Sequence, residues 1–118
     1  LHEQLKTMAV FDIVANNTDR KGGHVLLDAN DHVWGIDHGV CFSADFKLRT
    51  VIWDFATENL TERHRAALEA VISQVPLRVA ALLSDDEAEA IVERASWLLE
   101  AGTLPYDPSG RRVPWPLV

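Results

Sequence analysis

The stretch from Asp12 to Asp37 constrains the fold of this 118-residue chain more than any other. It contains a polar Asn-Asn-Thr-Asp-Arg loop, followed by two short apolar runs at 24–28 and 33–37. The Ala-Asn-Asp-His segment between the runs has the composition of a turn, so the runs are predicted to pair as an antiparallel β-hairpin. Pairing would bring His24, which begins the first run, close to Asp37, which ends the second.

Local signals predict that most of the remaining chain is helical. Apolar residues at spacings of three and four predict a helix over residues 2–16, which ends at its pair of asparagines because asparagine favours helix ends and turns. Thr61 is a candidate N-cap for a second helix, and Pro76 stops that helix. Residues 76–83 are predicted to form a short third helix. Residues 50–55 are apolar, and periodicity alone does not separate a strand from a first helical turn there.

The most strongly marked helix begins after Ser84 and runs through Ala101. Ser84 and Glu87 form a capping box at its start, and Gly102 is the residue type that most often ends a helix. The tail that follows contains four prolines and is predicted to run extended over the surface.

Composition limits the class of protein. A hydrophobic content of 47% with 25% charged residues is ordinary for a globular domain, and no apolar run approaches the roughly 20 residues that span a bilayer. The net charge of −7 argues against a general nucleic-acid binder. The single cysteine, Cys41, excludes an internal disulfide and is typical of a reducing cytoplasm. The four tryptophans are expected to be core residues. We expect one α+β domain over 1–118, mainly helical, with one small hairpin that carries the candidate site.

Chemistry-bearing side chains are concentrated in the loop before the hairpin. An isolated Asp19 would usually be a turn or cap residue, but it lies close to the basic side chains of Arg20, Lys21 and His24. Asn17, in the same loop, is a candidate cofactor-binding residue. Asp19 could accept a hydroxyl proton there while a neighbouring cation meets developing phosphoryl charge.

His24 and Asp37 are candidate ligands of a divalent metal, with phosphate oxygens and water completing the shell. A simple His–Asp hydrogen bond is an equally open interpretation. His32 and His64 are expected at the surface, Asp28 in a turn, and Cys41 as a small buried side chain that is not a nucleophile.

The segments FDIVANNTDRKGGHVLL and VWGIDHGVCF resemble the catalytic and metal-binding loops of the phosphatidylinositol 3-/4-kinase-like group of the protein-kinase-like fold. Type II phosphatidylinositol 4-kinases, HipA-like kinases and an actinobacterial branch of the group are the most similar, over residues 8–56. The resemblance implies that Asp19 orients the acceptor hydroxyl with Arg20 as its partner, and that Asp12 steadies the loop. It also implies that Asp37 and Gly39 form the D-x-G that holds metal-bound ATP, with Mg²⁺ or Mn²⁺ as the cation.

The chain departs from the family pattern at two points. His24 stands where these kinases usually have asparagine, which suggests a preference for manganese, altered ATP placement or lost catalysis. The glycine-rich cover and the lysine of a kinase N-terminal lobe are not recognised, because Gly22-Gly23 follows the catalytic Asp. We therefore expect a kinase C-lobe fragment without its N-lobe. The start at Leu1 in place of Met also suggests that upstream residues are missing, and no signal-peptide pattern is visible.

The sequence predicts an ATP- and metal-dependent phosphotransferase core that acts on a protein, small-molecule or lipid acceptor. Three alternatives stay open. The chain could be a catalytically inactive pseudokinase or scaffold, or a kinase-fold enzyme that transfers AMP. It could also be a metal-dependent hydrolase that uses His24, Asp37 and His38.

Overall fold

The computed structural model describes residues 1–118 and contains four α-helices and one two-stranded antiparallel sheet. In chain order the elements are α1 (His2–Ala15), a short 3-10 helix (Gly22–His24), β1 (Val25–Leu27), β2 (Val33–Gly35), α2 (Glu62–Ser73), α3 (Leu77–Ala80) and α4 (Asp85–Ala101). The fold is α+β and mainly helical, which confirms the sequence prediction. None of the helices has the length and apolar character needed to cross a membrane.

The hairpin has the predicted pairing, with Leu26 opposite Trp34 at its centre. Asp28 shapes the turn, since its carboxylate accepts the N–H groups of Asn30 and His32 and the indole N–H of Trp34, at 2.8, 3.0 and 2.9 Å. These hydrogen bonds, that from Trp34 foremost, lower the pKa of Asp28 because they favour its charged form. Asp28 is therefore a turn residue, as expected.

The core lies where α1, α2 and α4 meet the segment that joins the hairpin to α2. Its buried apolar residues are Ala9, Val10, Ile13, Leu48, Ile52, Phe55, Leu60, Leu68, Ala95, Leu98 and Leu104. The α4 helix enters through the predicted capping box: Ser84 Oγ accepts the Glu87 N–H, and Glu87 Oε1 accepts the Ser84 N–H. It ends at Gly102 with φ of 71°, a backbone angle that glycine adopts without strain.

Two expectations, one about residues 50–55 and one about the tryptophans, are wrong. Residues 50–55 form neither a strand nor a helical turn; they bend into the core, where Ile52 and Phe55 are buried. Three of the four tryptophans, Trp34, Trp97 and Trp115, are half or more exposed, and Trp53 alone packs against the core. An indole ring can lie on a surface when one edge is apolar and the other finds a polar partner.

The proline-rich tail has no helix or strand and crosses the surface, as predicted. It is nevertheless anchored at several points. Pro114 is fully buried, the Arg112 carbonyl accepts the Thr50 N–H at 3.0 Å, and the Leu117 carbonyl accepts the Gly22 N–H at 2.8 Å. The end of the tail therefore lies beside the loop that precedes the hairpin.

His64 is buried at 4% exposure, so the expectation of a surface position is wrong. Its Nδ1 accepts the N–H of Thr61, the N-cap of α2, at 3.3 Å, and its Nε2 lies 2.8 Å from Thr7 Oγ1 on α1. Thr7 Oγ1 in turn donates to the Glu3 carbonyl, so Nε2 carries the proton and donates to Thr7. The neutral ring thus joins α1 to α2.

We predict that His64 makes the free energy of unfolding fall at acid pH. Burial, and then the charge of Lys6, lower the pKa of His64 below its usual 6.5. The unfolded chain therefore binds this proton first on acidification, and stability is complete above about pH 6.5 and falls below it, by at most about 1.4 kcal/mol per pH unit. Urea unfolding at about pH 7.5 and about pH 5.5 measures the difference. His64→Gln should reduce it, whereas His32→Gln, in the exposed turn, should not. An equal pH dependence in both variants would contradict the assignment.

Candidate functional site

A buried ion pair lies behind the loop that precedes the hairpin. Asp12 and Arg20 have fully buried side chains, and Arg20 Nη2 lies 3.0 Å from Asp12 Oδ1. Arg20 Nε donates to both oxygens of the same carboxylate, at 3.2 and 3.1 Å. Asp12 also accepts hydrogen bonds from Asn17 Nδ2 at 3.1 Å and Thr50 Oγ1 at 3.2 Å. Asp12 therefore steadies the loop, as the family resemblance implies.

The remaining donors of Arg20 hold the open end of the hairpin. Nη1 donates to the carbonyl oxygens of His24 and Ile36, both at 3.2 Å. Because the guanidinium is buried and directed at these groups, it does not face a ligand. We therefore correct the expected role of Arg20: it positions the loop and the hairpin instead of contacting a phosphoryl group.

The two asparagines that follow α1 make different contacts. Asn16 adopts the left-handed conformation, with φ of 56°, and its side chain binds the later loop through the carbonyls of Ser43 and Asp45 and the N–H of Lys47. Asn17 is fully buried, and its Oδ1 accepts the Asp19 N–H at 3.0 Å. Asn17 thus fixes Asp19 and does not face a cofactor, which corrects its predicted cofactor-binding role.

Asp19 is partly exposed at the edge of this loop. Its carboxylate lies 3.6 Å from Lys21 Nζ, and about a third of its side-chain surface is accessible. The backbone is held from behind by Asn17, so the carboxylate faces outward from a rigid support. An accessible carboxylate beside a fixed ammonium group can accept a proton from a bound hydroxyl.

The ring of His24 joins Asp19 to Asp37. Nδ1 lies 2.8 Å from the Asp19 carbonyl, which can only accept, so Nδ1 carries a proton. The Lys21 N–H, at 3.5 Å from the same nitrogen, is at the outer limit of a hydrogen bond and does not change this assignment. Nε2 lies 3.3 Å from Asp37 Oδ2. The predicted approach of His24 to Asp37 at the open end of the hairpin is confirmed.

The unusual backbone at this site belongs to Asp37 and not to Gly39. Asp37 has φ of 60°, in the left-handed region that Asp tolerates better than most residues, whereas Gly39 does not have a positive φ. Gly39 is therefore not required here for a left-handed backbone. The ring of His38 packs edge-on against Phe11 at 5.2 Å.

The donor atoms of His24 and Asp37 fit a divalent cation in part. Nδ1 is bound to a carbonyl, and Nε2 lies beside a carboxylate oxygen. Metal-binding histidines commonly hold one ring nitrogen on a carbonyl and use the other as the ligand. Two donors 3.3 Å apart can contact one ion. No group of three or more His, Cys, Asp or Glu side chains is placed to hold a metal. The ligand or water would have to supply the remaining donors.

A cavity of about 660 Å³ opens next to these residues. Thr18, which precedes Asp19, and Gly39 both line it. Its wall also contains Cys41, whose thiol has its pKa raised by burial and is therefore not an activated nucleophile, as predicted. The other walls come from residues 43–49 and from the tail.

The structure thus brings Asp19, Lys21, His24 and Asp37 together. Asn17 and Arg20 are buried behind them and hold the loop in position. Sequence reasoning missed the basic residues of the cavity, Lys47, Arg49, Arg111 and Arg112. The Lys-x-Arg spacing and the Arg-Arg doublet were the available signals. Their meeting depends on the path of the tail, which no local pattern indicates.

Comparisons with known proteins give one similar sequence. The chain is 37% identical to the Mycobacterium tuberculosis protein Rv2133c over 117 residues, which is 96% of this chain and 42% of that protein. The chain therefore spans less than half the length of this relative. No protein-family model matches the chain, and no solved structure matches it.

We predict that Asp12→Asn destabilises the chain by about 3–5 kcal/mol, because it leaves the buried guanidinium of Arg20 without its counter-charge. Chemical unfolding monitored by tryptophan fluorescence measures the loss. Asp54→Asn, which removes the same charge from an exposed side chain, should change the free energy of unfolding by less than about 0.5 kcal/mol. A similar small effect at Asp12 would show that the pair does not support the fold.

Proposed function

We propose that this chain supplies the catalytic and metal-binding loops of an ATP- and divalent-metal-dependent phosphotransferase of the phosphatidylinositol 3-/4-kinase-like group. The order of a polar catalytic loop, a hairpin and a D-x-G in the sequence supports the proposal. The contacts of the His24 ring, with the Asp19 backbone carbonyl on one side and the Asp37 carboxylate on the other, support it further. The single cysteine is in keeping with a cytoplasmic enzyme.

The observation that carries this proposal is the position of the His24 ring. One of its nitrogens is bound to the backbone of Asp19 and the other lies against the carboxylate of Asp37. With Nδ1 held by a carbonyl, Nε2 is the nitrogen that would bind a cation together with Asp37. Asp37, with 63% of its side chain accessible, can still bind a ligand from solvent.

His24 and Asp37 would hold the cation. When bound, Mg²⁺ or Mn²⁺ neutralises charge on the ATP phosphates and orients them. An imidazole nitrogen is a softer donor than the asparagine oxygen of related kinases, so His24 should favour Mn²⁺ over Mg²⁺.

Asp19 would orient the acceptor hydroxyl and take its proton. As the hydroxyl oxygen forms its bond to the γ-phosphorus, the bond between that phosphorus and the β–γ bridging oxygen breaks, and ADP leaves with the electron pair. Lys21, 3.6 Å from Asp19, would place a positive charge beside the reacting phosphoryl group.

A glycine-rich cover for ATP is expected from another segment, because residues 1–118 contain no such element in the family's order. The 118-residue chain alone should therefore bind ATP weakly and transfer phosphate poorly. Robust phosphoryl transfer by this chain alone would contradict that expectation.

We predict that His24→Asn shifts the metal preference of nucleotide binding from Mn²⁺ towards Mg²⁺ by about tenfold, since an oxygen replaces a nitrogen in the shell. Isothermal titration calorimetry of the full-length protein with ATP and each metal measures the ratio of the two affinities. Asp37→Asn should weaken binding with either metal, and His32→Asn, in the exposed turn, should change neither. An unchanged ratio in His24→Asn would remove His24 from the metal site.

We predict that Asp19→Asn lowers the rate of ADP formation by about 10²–10⁴-fold and leaves ATP affinity nearly unchanged, because the carboxylate acts on the acceptor and not on the nucleotide. The full-length protein is assayed for ADP release and for ATP binding in parallel. Release of pyrophosphate in place of ADP would identify transfer of AMP. An absence of ATP binding with either metal would identify a pseudokinase or scaffold.

A further inference from the structure

The cavity beside Gly39 concentrates positive charge in a chain whose net charge is −7. Four of the eleven lysines and arginines of the sequence line it: Lys47, Arg49, Arg111 and Arg112. No acidic residue is part of its wall, and Ser43 and Ser109 add hydroxyl groups. The strongest local positive field on this acidic protein is therefore expected at this cavity.

The basic residues stand on two segments that are fixed independently. Asn16 binds the backbone of residues 43, 45 and 47 from behind, which holds Lys47 in place. In the tail, the Asp107 carboxylate accepts hydrogen bonds from Ser109 and from the Arg112 N–H, at 2.6 and 2.8 Å, which closes a turn and presents both arginines. The Arg112 guanidinium lies 4.7 Å from the centre of the Phe46 ring, and this contact joins the two segments.

These cations have no close acidic partner in the protein. No carboxylate forms an ion pair with any of the four, since the ion pairs of the chain involve other residues. Asp107 is the nearest acid in the tail, and its carboxylate is directed to the turn that it closes. Four like charges around one hollow repel one another, so an anion that entered would relieve this repulsion.

We propose that this cavity binds a phosphate-bearing ligand with two or more negative charges, such as a phosphomonoester or an oligophosphate. Arginine forks match phosphate oxygens with paired hydrogen bonds, and lysine adds a mobile point charge. Four cations suit a phosphate better than a single carboxylate, because a phosphomonoester carries close to two charges at neutral pH. The volume, about 660 Å³, lies within the roughly 300–1,000 Å³ of small-molecule sites.

The position of the cavity suggests what this ligand does. In its wall, Thr18 directly precedes Asp19, and Gly39 lies two residues after Asp37. An anchored phosphate would therefore leave another part of the ligand near the carboxylate of Asp19. That the bound molecule is the phosphate acceptor rests on the proposed function. The acceptor would then already carry phosphate, in contrast to a neutral serine or threonine side chain.

Calorimetry with tripolyphosphate tests the binding site without nucleotide or metal. In EDTA, the 118-residue chain should bind tripolyphosphate, and Lys47→Ala/Arg111→Ala should weaken binding by about tenfold or more, because two charge-assisted contacts are lost. Arg63→Ala/Arg78→Ala removes two exposed positive charges from α2 and α3 and should have little effect. No binding by the unmodified chain, or an equal loss in both double variants, would overturn the proposal.

The variant Asp37→Asn distinguishes the proposed anion site from the site for metal and nucleotide. It should leave tripolyphosphate binding in EDTA unchanged. Loss of binding in this variant would assign the anion to the metal site and overturn the proposal. Failure of phosphoryl transfer with intact tripolyphosphate binding would reject the proposed function and retain the anion site. Since Lys47 and Arg111 are exposed, both double variants should keep the circular dichroism melting curve of the unmodified chain.

A soluble phosphate compound and a lipid headgroup present the same phosphate chemistry to the cavity. A vesicle assay distinguishes between them. Co-sedimentation with phosphatidylcholine vesicles that contain phosphatidic acid, compared with phosphatidylcholine alone, detects a membrane-borne phosphomonoester. Sedimentation that depends on phosphatidic acid and is lost in Lys47→Ala/Arg111→Ala would assign the site to a lipid. Tripolyphosphate binding without sedimentation would assign it to a soluble ligand, and failure in both assays would overturn the proposal.

Discussion

The buried pair of Asp12 and Arg20 is the interaction on which the site depends. Removing both charges from water is costly, and their attraction offsets that cost only when the remaining donors and acceptors are also satisfied. Here every group has a partner: the carboxylate binds Asn17 and Thr50, and the guanidinium binds two hairpin carbonyls. Because these partners lie on different segments, the pair fixes the end of α1, the polar loop and the hairpin relative to one another.

The geometry of the candidate metal ligands follows from that arrangement. Arg20 binds the carbonyls of His24 and Ile36, so it holds the start of one strand and the end of the other. Asp37 comes next in the chain, and its left-handed backbone turns the carboxylate back toward His24. Arg20, which looks catalytic in the sequence, is therefore a structural residue, and it positions the residues that we propose as metal ligands.

Local signals predicted the helices and the hairpin because caps and turns act over a few residues, as Ser84, Gly102 and Asp28 illustrate. The same signals did not predict which polar side chains are buried. Arg20 and His64 stand among charged neighbours, and only tertiary partners, Asp12 for one and Thr7 for the other, make an interior position favourable. Patterns of residues near one another in sequence contain no information about such partners.

The net charge of the chain was also an incomplete guide to its ligands. It sums over the whole surface, whereas the fold separates acidic from basic regions. Acidic residues crowd α4, beginning with Asp85, Asp86 and Glu87 in its first turn, where they complement the helix dipole. Basic residues from two distant segments instead line one cavity together with Thr18 and Gly39. An overall charge of −7 therefore argues against binding to long nucleic acids but not against a compact anion. Since the fields of exposed charges are largely screened beyond about 8 Å at physiological ionic strength, a small ligand in the cavity responds mainly to the four nearest cations.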